Sequence, residues 1–224
     1  MPRWLDRVAA LGVPWATLAD DLTAARATSG RPTRPADLVL ILRDLPHAEP
    51  SRTDTANALA EWCATGWLKH RLLVAAMNSA GLSARLLMAS YRFDSSLAWL
   101  PSSVRAPDVL DVWSFALVDF GAGDTPVDIT WPRDLARFGF PVLGQTLTLG
   151  QPAVPPVEVF EQPPDAAGDR ARESWRMELA GDRSAALLDA RAALEAFAAE
   201  WTPPVAPAAG IAASLAGGDL FSRA

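Results

Sequence analysis

The residues whose types best suit proton transfer are Lys69, His70 and Asp128. Burial can lower the pKa of a lysine into a useful range, and an imidazole titrates near neutral pH. Each residue also has a structural interpretation: a solvated or salt-bridged Lys69, a packed His70 ring, and an Asp128 that binds local backbone amides. These three are the candidate catalytic residues.

Covalent and metal chemistry have few side chains to use in this chain. Cys63 is the only cysteine, and His47 and His70 are the only histidines. A zinc site needs more such ligands, so neither a metal site nor another cofactor is predicted, although a site made of carboxylates stays open. A lone cysteine is more often a small buried residue than a nucleophile, and thiol catalysis by Cys63 is kept as a third hypothesis.

The segment ATGWLKHRLLVAAMNSAGLSARLL, residues 64–87, carries two of the candidates. Its apolar periodicity predicts a helix from about Trp67 to Ala80, which Gly81 ends. Alternating or β-prone residues then predict three strands, with the sequence GAGD as a hairpin turn between the last two. The predicted strands are Ala84–Phe93, Leu110–Phe120 and Thr125–Trp131.

Helical patterns flank this central region on both sides. Beyond two amphipathic helices near the N-terminus, the predicted elements are helices at Ala36–Leu45 and Asp54–Ala64, a short helix at 132–139, a short strand at Val157–Phe160 and a long helix at Ala185–Trp201. Asp182 is predicted to cap the long helix. Helices, then an antiparallel sheet, then a helix predict one α+β domain over residues 1–202, and the Pro/Ala/Gly-rich tail at 203–224 is predicted to be disordered.

The order of short phrases from Leu45 to Trp131 resembles the transglutaminase-like superfamily, which has a papain-like core. In that family the nucleophilic cysteine opens the central helix, a tryptophan often follows it, and a glycine in a phrase such as LGIPAR comes fifteen residues later. Here Trp67 follows Gly66, and Gly81 begins GLSAR fifteen residues after Gly66.

Two further family positions fall on the next strands. The family histidine, early in one strand, corresponds to Trp113 in VWSF, and the aspartate of a DxT phrase corresponds to Asp128 in VDITW. The resemblance implies a central helix packed on an antiparallel sheet, with a catalytic cleft at the start of that helix. It also implies a degenerate triad, since Gly66 carries no sulfur and an indole can only donate a hydrogen bond.

The cleft implied by this resemblance still offers a place for a ligand. Gly66, Trp67 and Trp113 are the candidate ligand-binding residues, because a glycine opposite a tryptophan could form a flat apolar slot. The N–H groups that begin the helix provide an anion or oxyanion site, and Lys69 and His70 lie one turn from Gly66. Trp62, Trp99 and Trp131 are predicted to belong to the core.

Two functions of different classes follow. In the first, the cleft binds a small or carrier-bound acyl ligand and catalyses a non-covalent reaction such as cyclisation, isomerisation or elimination. In the second, Trp113 plugs the cleft and the protein is a non-catalytic pseudoenzyme that binds a protein or peptide partner. An open cavity beside Gly66 favours the first function, and a cleft filled by Trp113 favours the second.

Charge and hydropathy limit the other partners. The net charge is −6 and the basic residues form no run, so nucleic acid is not a predicted partner. Neither a signal peptide nor a stretch long enough to cross a bilayer is recognisable, so the sequence predicts a cytoplasmic protein without a membrane partner. The sequence does not predict the oligomeric state.

Overall fold

The computed structural model describes residues 39–40, 42–53, 55–79, 81–163 and 166–202. Residues 39–40 and 42–43 are helical, and they are followed by helices α1 (Thr55–Glu61), α2 (Gly66–Ser79), α3 (Ala166–Ala180) and α4 (Ser184–Trp201). The strands are β1 (Ser83–Phe93), β2 (Val109–Asp119), β3 (Asp124–Val127) and β4 (Glu158–Gln162). They form one antiparallel sheet in the order β3-β2-β1-β4, so the predicted α+β class is confirmed.

The sheet separates two hydrophobic clusters. Ala116 and Val118 of β2 face the cluster that contains α2, whereas Trp113 and Phe115 of the same strand belong to a second cluster that includes residues of α4. This alternation is expected of a central strand buried on both faces. The sheet therefore holds α2 on one side and an aromatic core on the other.

Several local predictions match the structure closely. The central helix is found as α2, and Gly81 follows it with a φ of 79°, the left-handed conformation that favours glycine after a helix. The β2–β3 turn is held by Asp119, whose Oδ1 accepts hydrogen bonds from the N–H groups of Gly121 (2.7 Å) and Gly123 (3.0 Å). Periodicity and turn residues were sufficient to predict these elements.

Two predictions need correction. The third strand ends at Val127 instead of Trp131, because the next N–H groups donate to side chains: that of Ile129 to Nε2 of His70 and that of Thr130 to Oδ1 of Asp128. Asp182 does not cap α4. It lies in a 3₁₀ turn, Gly181–Arg183, and the residue before α4 is Arg183, which makes no side-chain cap.

Helix α3 was not predicted, since its sequence AAGDRARESWRMELA has no continuous apolar stripe. Its buried side chains include Arg172 and Arg176 as well as Ala180. The predicted N-terminal helices before residue 39 and the predicted disordered tail at 203–224 lie outside the described residues. Within the described ranges, no helix combines the length and the apolar character that crossing a bilayer requires.

Candidate functional site

A cavity of about 450 Å³ lies beside the first turn of α2. Gly66 and Trp67 of α2, Trp113 of β2 and Trp131, beyond β3, are among the residues that line it. Trp131 was predicted to be core and is indeed only 2% exposed, but it contributes to the cavity wall as well. The three predicted ligand-binding residues therefore border one open space, and Trp113 is part of its wall.

Gly66 is in unusually close contact with Thr130. A Cβ atom at residue 66 would lie 2.5 Å from Cγ2 and 3.2 Å from Cβ of Thr130, closer than atoms normally approach. Thr130 is itself held by its Oγ1, which donates to Oδ1 of Asp128 at 2.7 Å. The space next to Gly66 is thus occupied by Thr130, and the cavity lies alongside this contact and not in a slot left by a missing side chain.

Asp128 is fully buried and has hydrogen-bond donors at both oxygens. Its Oδ2 accepts from the indole N–H of Trp113 (2.7 Å) and from the backbone of Ala153 (2.8 Å), while Thr130 donates to Oδ1 through its backbone and hydroxyl. Burial opposes ionisation, but the hydrogen bonds donated by Ala153 and Thr130 hold the pKa of Asp128 below its usual value. The carboxylate positions Trp113 from behind and does not line the cavity.

His70 and Lys69 are both completely buried and are not among the cavity-lining residues. The Nε2 atom of His70 accepts the Ile129 N–H at 2.9 Å, and its Nδ1 has no partner among the described residues. Lys69 donates from Nζ to the carbonyl of Arg43 at 2.9 Å, and burial together with the Arg43 charge lowers the pKa of Lys69 to about 7. Their predicted catalytic role stays a prediction.

Helices α3 and α4 supply a charged wall that the sequence did not indicate. Arg176 and Arg191 line the cavity and converge on Asp111 behind it, with Nε–Oδ1 and Nη1–Oδ2 distances of 2.7 and 2.6 Å. Burial would raise the pKa of Asp111, but the two guanidinium groups lower it to about 2. This ion cluster ties both helices to β2.

A second charged pair connects distant parts of the chain. Nε2 of His47 contacts the carboxylate of Glu195, which lines the cavity, and Nδ1 of His47 lies 3.3 Å from the carbonyl oxygen of Thr130. Both ring nitrogens thus lie next to oxygen atoms. Burial opposes the charge on Glu195, but His47 and Arg191 lower its pKa to about 2.

The one thiol lies away from the cavity lining. Cys63 is buried in the turn before α2, and burial together with the Glu61 charge raises the pKa of its thiol. A protonated, enclosed thiol is a poor nucleophile.

The charged wall could not be predicted from the sequence. Arginines and glutamates at helical spacing usually mark a solvated face, and His47 and Glu195 are separated by 148 residues. Across the described ranges, His, Cys, Asp and Glu side chains nowhere gather in threes as they would around a metal ion. No protein-family model, curated protein or solved structure matches this chain.

Proposed function

We propose that this protein binds a small or carrier-bound acyl ligand in the cavity beside Gly66, within a transglutaminase-like frame that has lost its thiol and imidazole. The observation that carries the proposal is the open volume of about 450 Å³ at the start of α2, which is within the range typical of small-molecule sites. Trp67 and Trp113 give it aromatic walls. An open cavity supports this function over the alternative in which Trp113 plugs the cleft.

Two contacts support the degenerate frame. Trp113 stands where the resemblance expects a histidine, and its indole N–H donates to Asp128 at 2.7 Å. Asp128 therefore still orients a ring on β2, but this ring has no lone pair with which to act as a base. Gly66 begins α2 and meets Thr130, so the frame has no place for a thiolate at that position.

Any reaction in this cavity would proceed without a covalent intermediate on a thiol. Cyclisation, isomerisation and elimination need a positioned substrate and proton transfer, and the Glu195 carboxylate, which His47 contacts, lies at the cavity wall. The residues between them and the cavity would transmit any effect of Lys69, His70 and Asp128 on a ligand. We assign them positioning roles.

The experiment is a binding titration with neutral acyl probes, followed by tryptophan fluorescence and calorimetry. The probes are 3-phenylpropionamide and the N-acetylcysteamine thioester of 3-phenylpropionate. Trp67→Ala removes an aromatic wall and is expected to weaken binding by roughly tenfold, a cost typical of losing a buried aromatic contact. Trp175→Ala, on α3 and outside the cavity lining, is the matched control and should bind as the unmodified protein does.

Cys63→Ala separates this proposal from the thiol hypothesis. Because Cys63 does not line the cavity, the variant and thiol alkylation should both leave binding unchanged. Loss of binding or turnover in Cys63→Ala would favour a thiol enzyme, and equal binding by Trp67→Ala and the unmodified protein would remove the cavity from the proposal.

A further inference from the structure

Arg172 is a buried cation in the cavity wall whose hydrogen bonds are incomplete. It is 6% exposed, its guanidinium lies 4.2 Å from the ring centre of Trp67, and its Nη2 donates to Glu173 at 2.6 Å. Its Nε has no partner among the described residues. An unpaired buried donor on a charged group costs free energy, so such a group favours an acceptor in the adjoining space.

Trp131, another residue of the cavity lining, has a second unused donor, which like Nε of Arg172 is enclosed by protein atoms and becomes reachable only when a lining side chain moves. It is 2% exposed, and its indole Nε1, which can only donate, has no partner within the described part of the chain. Buried tryptophan N–H groups usually find an acceptor. Two residues of the lining therefore carry a free N–H donor, one neutral and one cationic.

None of the other acids in the lining accepts a hydrogen bond from either donor in the described structure. Asp169 is paired with Arg71 at 2.9 Å, and Glu195 with His47. Glu49, at the rim, accepts the hydroxyl of Thr53 at 3.1 Å.

Glu173 is the remaining acid of the lining, and it is shared by two cations. It accepts from Arg172 and also from Nη1 of Arg176, at 2.6 Å in each case. Burial, and after it the neighbouring charge of Arg176, lowers the pKa of Arg172 to about 10, while Glu173 opposes this shift.

Resting on the proposed acyl-binding function, we propose that the ligand carries a free carboxylate, which accepts hydrogen bonds from Nε of Arg172 and from the indole N–H of Trp131. Guanidinium–carboxylate hydrogen bonds are among the strongest in proteins, and they strengthen in an enclosed site. The rest of the ligand lies against the rings of Trp67 and Trp113. A cavity of about 450 Å³ suits a monocarboxylic acid with an aromatic or short aliphatic body.

The test compares an acid with its uncharged amide. 3-Phenylpropionate and 3-phenylpropionamide have the same body, so their difference in affinity measures recognition of the carboxylate. We expect the acid to bind about tenfold more tightly to the unmodified protein, as one charge-assisted hydrogen bond would give. Equal binding of the two would overturn the carboxylate proposal but leave the acyl cavity intact, whereas binding of neither would count against both proposals.

Variants then locate the preference. Arg172→Gln should lower the affinity for the acid about tenfold and leave that for the amide within about twofold. The matched control is Arg170→Gln, an exposed arginine on the same helix outside the cavity lining, which should keep the full preference. Retention of the preference in Arg172→Gln would overturn the assignment. If that variant melts early, Arg172→Lys, which keeps the charge but lacks Nε, should show a partial loss.

A final arm separates two sources of the carboxylate. A free small acid and the C-terminus of a peptide present the same group, and the cavity volume favours the small acid. Acetyl-Gly-Phe, which ends in a free carboxylate, should therefore bind more weakly than 3-phenylpropionate. Tighter binding of the peptide would overturn the small-acid assignment.

Discussion

Asp111 on β2 and Arg172 on α3 are both buried charged residues, but only Asp111 has hydrogen-bond partners for all of its charged group. Asp111 accepts from Arg176 and Arg191 and also from the hydroxyl of Tyr91 (2.9 Å) and the backbone of Val112 (2.7 Å). Arg172, one turn before Arg176, has the single carboxylate of Glu173 and a donor with no partner among the described residues.

This difference separates a structural charge from a binding one. Removing a carboxylate that is enclosed and fully paired leaves uncompensated cations, so Asp111 contributes to the docking of α3 and α4. Arg172 adjoins a cavity and has bonding capacity to spare, so a ligand can complete what the protein leaves open. The completeness of the hydrogen bonds, more than burial or charge, distinguishes the two roles.

The largest expected effect comes from Asp111→Asn. The variant would leave the positive charges of Arg176 and Arg191 without the carboxylate that compensates them. Its free energy of unfolding in urea should therefore fall by about 3–5 kcal/mol. Asp124→Asn is the control, because Asp124 and its partner Arg85 are exposed at 42% and 41% and such a pair is worth about 1 kcal/mol or less.

The same variant has a pH signature. The pKa of Asp111 is about 2 in the folded state and about 3.9 when unfolded, so its contribution is complete above the unfolded value and is lost as pH falls through about 2. The difference between the unmodified protein and Asp111→Asn should therefore shrink between pH 4 and pH 2. A difference under about 1 kcal/mol at pH 7 would contradict the structural role of Asp111.

The fold could be predicted where one periodicity dominates. Helix α2 and strands β1 and β2 have apolar patterns that match their burial, and Gly81 marks a helix end on its own. Helix α3 escaped prediction because its buried contacts are made by arginines, whose charge indicates a solvated face until their partners are known.

The site could be predicted only in part for a similar reason. Gly66, Trp67 and Trp113 were named through a resemblance in local phrases, and all three border the cavity. The contacts of Arg172 and Trp131 depend on elements far apart in the chain. No local pattern distinguishes a free buried donor from a satisfied one.

A smaller effect is expected at the contact between Gly66 and Thr130, which is the tightly filled side of the cavity. Gly66→Ala places a Cβ 2.5 Å from Cγ2 of Thr130 and should lower the free energy of unfolding by about 1–3 kcal/mol. Thr130→Ser removes that methyl group and keeps the hydroxyl bonded to Asp128.

The double variant Gly66→Ala/Thr130→Ser should recover about 1 kcal/mol of this loss in a double-mutant cycle. If the two effects were simply additive, the methyl group of Thr130 would not be what excludes a side chain at residue 66. A recovered stability together with unchanged binding of 3-phenylpropionamide would show that this contact supports the wall without touching the ligand.

The smallest effect concerns Lys69, a buried residue that differs from Arg172 because, within the described part of the chain, no carboxylate pairs with its head group. Its Nζ donates to the carbonyl of Arg43. Its pKa is lowered to about 7, whereas an unfolded lysine titrates near 10.4, so the unfolded chain binds a proton that the folded chain releases. Stability should therefore rise by roughly 1–2 kcal/mol from pH 7 to 8.5 in the unmodified protein and stay comparatively flat in Lys69→Met. Because Lys69 is the only lysine, its single Nζ resonance in ¹⁵N-lysine-labelled protein measures this pKa directly. If Nζ titrates near 10, a buried cation in this protein can keep its charge with one carbonyl as its partner. The unused donor of Arg172 would then be weaker evidence for a ligand.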